Sequence, residues 1–198
     1  IGFNHLLQNN VQSITQSKNK LFINTDYTIY SIDKLNRTAE IIYTSNGLTI
    51  KTICFDEKRN CIWFGGIEFL KQLNLVNNAI TDFPDIQSVD LNTKEIINAI
   101  YLSKSDQLWI TSNFGIKIKN PNNNNSIYLK NQLENQNSLS TNNITCLAED
   151  SNGVWIGTYN GGINLFDKKT NAIIRINNPI LSGLEIASIY TSGNGKLW

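Results

Sequence analysis

An aromatic residue set among aliphatics recurs at positions 22, 63, 109, 155 and 198, at intervals of 41, 46, 46 and 43 residues. Each time it follows an apolar pair spaced i, i+3 and a polar turn. The pairs are Val11/Ile14, Ile50/Ile53, Ile97/Ile100, Ile144/Leu147 and Ile186/Ile189, and the aromatic runs are Leu21-Phe22-Ile23, Ile62-Trp63-Phe64, Leu108-Trp109-Ile110, Val154-Trp155-Ile156 and Leu197-Trp198. A period of roughly 40 to 50 residues means one supersecondary unit copied along the chain, with neighbours supplying the burial that one unit cannot provide. The units run approximately 11–49, 50–96, 97–143, 144–185 and, truncated at its aromatic, 186–198.

The clearest unit reads ITCLAED, SNG, VWIGT, then Tyr159-Asn160-Gly161-Gly162, INLFD, Lys168-Lys169-Thr170-Asn171 and AIIRI. Short β-rich runs separated by Asp/Asn/Gly turns are hairpin signals, and four of them make a four-stranded antiparallel sheet. The first unit repeats the scheme as LFINT, Asp26-Tyr27-Thr28, IYSID, Lys34 to Thr38 and AEIIY. The chain is therefore expected to be all-β, a β-propeller whose blades stack on one another because a lone blade leaves two faces uncovered. Four blades and half of a fifth do not close a ring, so the segment reads as an incomplete piece. At about 44 residues per blade, a seven-bladed ring would need roughly 300 residues.

The recurrent aromatics, including Trp63, Trp109, Trp155 and Trp198, are read as packing between sheets rather than as ligand platforms. Thr93 to Leu102 could suggest a helix, but the repeat register places a strand there. The second and third units keep their aromatic yet lack the aspartate that ends the third strand in units one and four. In the third, Pro121 to Ser126 is a solvated loop, and Lys130 to Asn143 is a longer connection.

Composition narrows function by exclusion. With 17 basic and 16 acidic residues the net charge is +1, too little to draw the chain to nucleic acid or anionic lipid. No window reaches the roughly 18 apolar residues of a membrane helix, and IGFNHLLQNN lacks the features of a signal peptide. Any anchor is expected outside this segment. Three cysteines and the single His5 make no metal site, and no metal or cofactor is expected. Cys54 and Cys61 bracket a short turn and could be bridged or simply buried; Cys146 reads as core and His5 as structural. No residues form a nucleophile and base, and the adjacent Glu149 and Asp150 should point to opposite faces of a strand. No catalytic residue is assigned.

Residues 144–177, with the preceding NSLSTNN, the Glu149-Asp150 pair, Trp155-Ile156-Gly157-Thr158 and Gly161-Gly162, resemble the two-component regulator propeller repeat. That resemblance implies the periplasmic sensor portion of a hybrid two-component histidine kinase of the Bacteroidetes type. It also implies an oligosaccharide ligand derived from polysaccharide, a homodimer, and a membrane connection only through a transmembrane helix outside this segment. Kinase and DNA-binding output would lie elsewhere. The competing readings are a propeller scaffold that docks another protein and, more distantly, a propeller lyase.

If the first strand of each blade is innermost, the loops from second to third strand share a rim with the connections between blades. Rigidly mounted loops of this kind often carry binding sites. The candidate ligand residues there are Asp26, Tyr27, Glu68, Asn113, Phe114, Tyr159 and Asn160. An aromatic ring beside an amide or acid suits a sugar, whose C–H face and hydroxyls need both. The competing explanation is that Asn and Gly occur there because turns need left-handed backbone.

Overall fold

The computed structural model describes residues 10–84, 93–123, 125–192 and 196–198. His5 lies outside the described residues. Among the described residues, sixteen strands form four sheets of four, each with its strands in chain order, and no helix occurs. The sheets are propeller blades, as the repeat predicts. The chain divides into two compact units, Ile1–Leu102 and Ser103–Trp198.

In the first unit, one sheet comprises β1 (Ser13–Gln16), β2 (Lys20–Asn24), β3 (Thr28–Asp33) and β4 (Ala39–Thr44). The next comprises β5 (Ile50–Asp56), β6 (Cys61–Gly66), β7 (Phe69–Asn74) and β8 (Ile80–Asp82). β9 (Ile97–Leu102) follows where a helix was the alternative, and it packs against β5 and β6. Phe22, Ile29, Ile50, Ile53, Ile62, Phe64, Phe69 and Leu73 form a core to which both sheets contribute. The ring of Phe22 stacks on Phe55 at 5.2 Å, so the repeated aromatic of one blade is covered by the innermost strand of the next. Such a pair adds about 0.5–1.5 kcal/mol beyond the area it buries.

The innermost strands are also stitched by hydroxyls. The Ile53 and Phe55 amides donate to Ser13 Oγ (2.9 Å) and Thr15 Oγ1 (3.1 Å). Small β-formers at these positions let β1 and β5 approach while each backbone donor keeps a partner.

The second unit contains β10 (Leu108–Ser112), β11 (Gly115–Lys119) and β12 (Ser126–Leu129). It continues with β13 (Ile144–Glu149), β14 (Gly153–Thr158), β15 (Ile163–Asp167) and β16 (Ala172–Arg175). Trp109 is buried edge-on against Phe166 at 5.1 Å. The packing reading therefore holds for Phe22, Trp63 and Trp109. It does not extend to the last two aromatics: Trp155 is half-buried and Trp198 is 75% exposed. Among the described residues of 186–198 there is an isolated bridge, Thr191 to Leu197, and no regular strand. Even so, the Ile186 amide donates to the Thr158 carbonyl (3.0 Å), and Thr191 Oγ1 donates to the Glu149 carbonyl (3.1 Å).

Turn chemistry repeats more faithfully than the letters suggest. The side chains of Ser17, Asp56, Ser103 and Asp150, where each first strand ends, accept turn amides from Lys20, Arg59, Gln107 and Asn152 at 2.9, 3.0, 3.1 and 2.8 Å. Where each third strand ends, Asp33, Asn74, Asn120 and Asp167 accept amides from Leu35, Val76, Asn122 and Lys169 at 2.9, 2.8, 2.9 and 2.7 Å. The aspartate missing from the middle units is replaced by asparagine, whose side-chain oxygen closes the same turn. Cys54, Cys61 and Cys146 are free thiols.

Candidate functional site

The loops from second to third strand lie beside the connections to the next sheet, as the shared-rim reading requires. In the first unit, the Ile50 amide donates to the Asp26 carbonyl (2.7 Å) and the Ser45 amide to the Tyr27 carbonyl (2.8 Å). The Glu68 amide donates to the Glu95 carbonyl at 2.8 Å. In the second unit, the Tyr159 amide donates to Asn143 (2.9 Å) and the Gly162 amide to Leu184 (3.3 Å). The rim is thus a continuous fabric of backbone hydrogen bonds within each unit, which fixes the loop side chains on a rigid frame.

On that rim, the second unit carries a groove of ≈ 510 Å³. Gln136 and Ser140 from the long connection, Asn160 to Ile163 from the β14–β15 loop, and Arg175 to Pro179 after β16 line it. The loop is shaped by Thr158, whose backbone amide and hydroxyl both donate to the Gly162 carbonyl at 3.1 and 2.8 Å. Gly162 holds φ 68° and Asn160 φ 62°, a left-handed conformation available to glycine and tolerated by asparagine.

Two polar residues, one buried and one half-buried, hold the opposite wall. Asn164 is fully buried; its amide donates to Ser140 Oγ (2.9 Å) and its oxygen accepts the Ser140 amide (3.0 Å). Arg175 spreads its guanidinium over the connection, donating to the carbonyls of Ser138 (2.9 Å), Asn135 (3.1 Å) and Leu139 (3.0 Å). A planar fork of five donors suits a loop that offers several carbonyls at once. Arg175 therefore supplies both positive charge and the loop's fixed shape. Amides, hydroxyls and backbone groups dominate the groove, and no carboxylate lines it among the described residues. It can hold a polyhydroxylated molecule through paired donors and acceptors.

The seven sequence candidates separate into distinct places. Asp26 accepts from the Gln12 side chain at 2.7 Å, and Tyr27 beside it is exposed. Glu68, at φ 61°, pairs with Lys94 at 3.1 Å. Asn113 and Phe114 form the half-buried β10–β11 turn, where the Phe114 amide donates to Ser112 Oγ at 3.0 Å. Asn160 lines the groove, and Tyr159, 43% exposed, precedes it in the chain. Ser140, Asn164 and Arg175 escaped the sequence reading because they lie on the connection and on later strands. The signal available was the buried register of Asn164 and the cation ending the fourth strand.

Glu149 and Asp150 diverge. The Glu149 carboxylate meets Lys168 and accepts the Lys104 amide at 3.1 Å, whereas Asp150 closes its own turn. Burial, and to a lesser extent Lys104, holds the Lys168 ammonium below its usual pKa. Among the described residues, no group of three or more His, Cys, Asp or Glu side chains could hold a metal ion.

The two-component regulator propeller family model matches residues 138–160, which include the groove's Ser140 and Asn160. No curated protein matches the sequence. Among solved structures, the chain is similar to the extracellular domain of BT4673 of B. thetaiotaomicron, assigned to the hybrid two-component systems. The TM-score is 0.74 at 21% identity, covering 95% of this chain and 24% of that one. The corresponding domain of BT3049 from the same organism gives 0.70 at 23% identity, covering 96% and 25%. The WD40 domain of Neurospora crassa Pan2 gives 0.61 at 12% identity, covering 90% and 54%. The chain spans about a quarter of the length of the two bacterial domains. Its fold is that of β-propeller blades, and the stretch 138–160 bordering the groove matches the two-component regulator propeller family.

Proposed function

We propose that the chain belongs to the extracytoplasmic ligand-sensing propeller of a hybrid two-component signalling protein and detects oligosaccharides released from polysaccharide. In this reading it performs no catalysis. Occupancy is passed to a kinase elsewhere in the protein, across the membrane, through a periplasmic homodimer. The observation that carries the reading is the polar groove bordered by the regulator-propeller segment, with its amides, its exposed neighbouring Tyr159 and its lining free of carboxylates. Sugar hydroxyls need many donors and acceptors of fixed geometry, and backbone hydrogen bonds hold this loop in place on both sides.

The test is calorimetric titration of the full sensor with a panel of plant and host oligosaccharides. The reading expects saturable binding of a member of the panel. The double variant Tyr159→Ala with Asn160→Ala should weaken it at least tenfold, about 1.4 kcal/mol, while the sensor stays folded. Silence across the panel together with recovery of a protein partner would replace the sensor reading with a docking scaffold. Turnover of a panel member would replace it with an enzyme.

A further inference from the structure

The four sheets share one cross-strand row headed by the repeated aromatic, and the first sheet departs from the pattern. By strand register the rows are Phe22–Ser31–Glu40, Trp63–Gln72–Thr81, Trp109–Ile118–Ile127 and Trp155–Leu165–Ile174. Serine occupies the central place where the others carry Gln, Ile or Leu. Ser31 lines a hollow of ≈ 600 Å³ in the first unit, into which its short side chain leaves room. It opens at the strand ends opposite the loops Asp26–Tyr27 and Ile67–Glu68, so it is a separate feature of that unit.

The hollow combines an apolar interior with one unsatisfied polar group. Phe22 and Phe55, stacked at 5.2 Å, form its floor, and Ile42 and Leu75 line its walls. Ser31 is 2% exposed, and its hydroxyl has no hydrogen-bond partner among the described residues. Buried hydroxyls ordinarily have partners, and an orphan beside an open hollow calls for one from outside the chain. At the mouth, Lys20 and Glu40 pair with each other at 3.2 Å, and Glu57 adds a second carboxylate to the lining, so the charge there disfavours an anionic guest.

We propose that this hollow is a ligand site for a small neutral molecule with a single ring and one hydrogen-bonding substituent. The ring lies against Phe22 and Phe55, and the substituent bonds to Ser31 Oγ. Its size falls within the range of small-molecule pockets, roughly 300–1,000 Å³. The site does not depend on the oligosaccharide reading.

The test titrates the full chain with p-cresol and, in parallel, with toluene, its analogue without the hydroxyl, following backbone amide shifts by NMR. The proposal expects saturable shifts around Phe22, Ser31 and Phe55, with p-cresol binding at least fivefold tighter than toluene. Ser31→Ala should reduce p-cresol to the toluene level. Ser31→Leu, which copies Leu165 of the fourth sheet, should abolish binding of both while its spectrum stays that of the folded chain. No saturable binding of p-cresol to the wild type would overturn the proposal, as would an undiminished preference for p-cresol over toluene in Ser31→Ala.

Discussion

The side-chain amide of Asn24, at the end of one sheet's second strand, donates to the backbone carbonyl of Ile50, at the start of the next sheet, at 2.9 Å. Asn24 is fully buried; its amide also donates to the Thr25 carbonyl (3.1 Å), and its oxygen accepts the Ser13 hydroxyl (2.6 Å). One side chain thus joins both ends of its own sheet's inner hairpin to the sheet that follows. Asn24→Leu removes all three bonds and strands buried polar groups, so it should destabilise by on the order of 2–3 kcal/mol in urea unfolding. Asn24→Asp should cost more, because it adds a buried charge and replaces the donor to Ile50.

A small residue two places after the repeated tryptophan makes room for the next unit. A Cβ added at Gly157 would run into Cys146 Sγ of its own sheet and lie 2.9 Å from Ile186 Cγ2 and 3.1 Å from its Cβ. Gly157→Ala is expected to lower stability by about 1–3 kcal/mol through overpacking, and Gly157→Val by more.

Turn closure by Asp and by Asn should respond differently to acid. The Asn36 amide holds the Asp33 carboxyl below its usual pKa, and the Lys169 amide does the same for Asp167. A carboxylate with a depressed folded-state pKa contributes stability above the unfolded value, and that contribution is lost as pH falls through the folded value. In an NMR titration from pH 6 to 2, the amides of Leu35 and Asn36 should shift as Asp33 protonates. Those of Val76 and Asn77, held by Asn74, should stay flat at that step.

Two thiols act at the other end of the scale. Burial pushes Cys54 up to about 11 and Cys61 to about 12, from an ordinary value of 9.0. Because unfolding restores the ordinary value, the unfolded chain binds fewer protons above pH 9, so stability falls as pH rises from about 9 towards about 11 and 12. The double variant Cys54→Ala with Cys61→Ala, compared with wild type at pH 7.5 and 10.5, should lose less stability over that interval. Equal losses would mean the thiols titrate normally in the fold.

How much of this was legible in the sequence depended on the range of the interaction. The aromatic period and the Asp/Asn/Gly turns are local, and they reveal the blades, the strand over Ile97–Leu102 and the divergence of Glu149 from Asp150. The equivalence of Asn74 and Asn120 to Asp33 and Asp167 was hidden by reading letters instead of the shared acceptor oxygen. The groove was hidden for another reason. Arg175 reaches loop carbonyls 36 to 40 residues upstream, and Asn164 reaches Ser140 at a separation of 24. Such contacts exist only once the sheets have packed. Trp155 and Trp198 carry the repeat's signature, yet burial depends on a covering neighbour, which periodicity alone does not supply.

The most direct test of the sensing account is amide chemical-shift mapping of the labelled chain against the oligosaccharide that activates the full sensor. The account predicts saturable shifts concentrated at Asn160–Ile163, Ser140 and Arg175–Asn178, lost in the variant Tyr159→Ala with Asn160→Ala. Saturable shifts that leave those residues untouched, or an activating oligosaccharide that perturbs no amide of this chain, would contradict it.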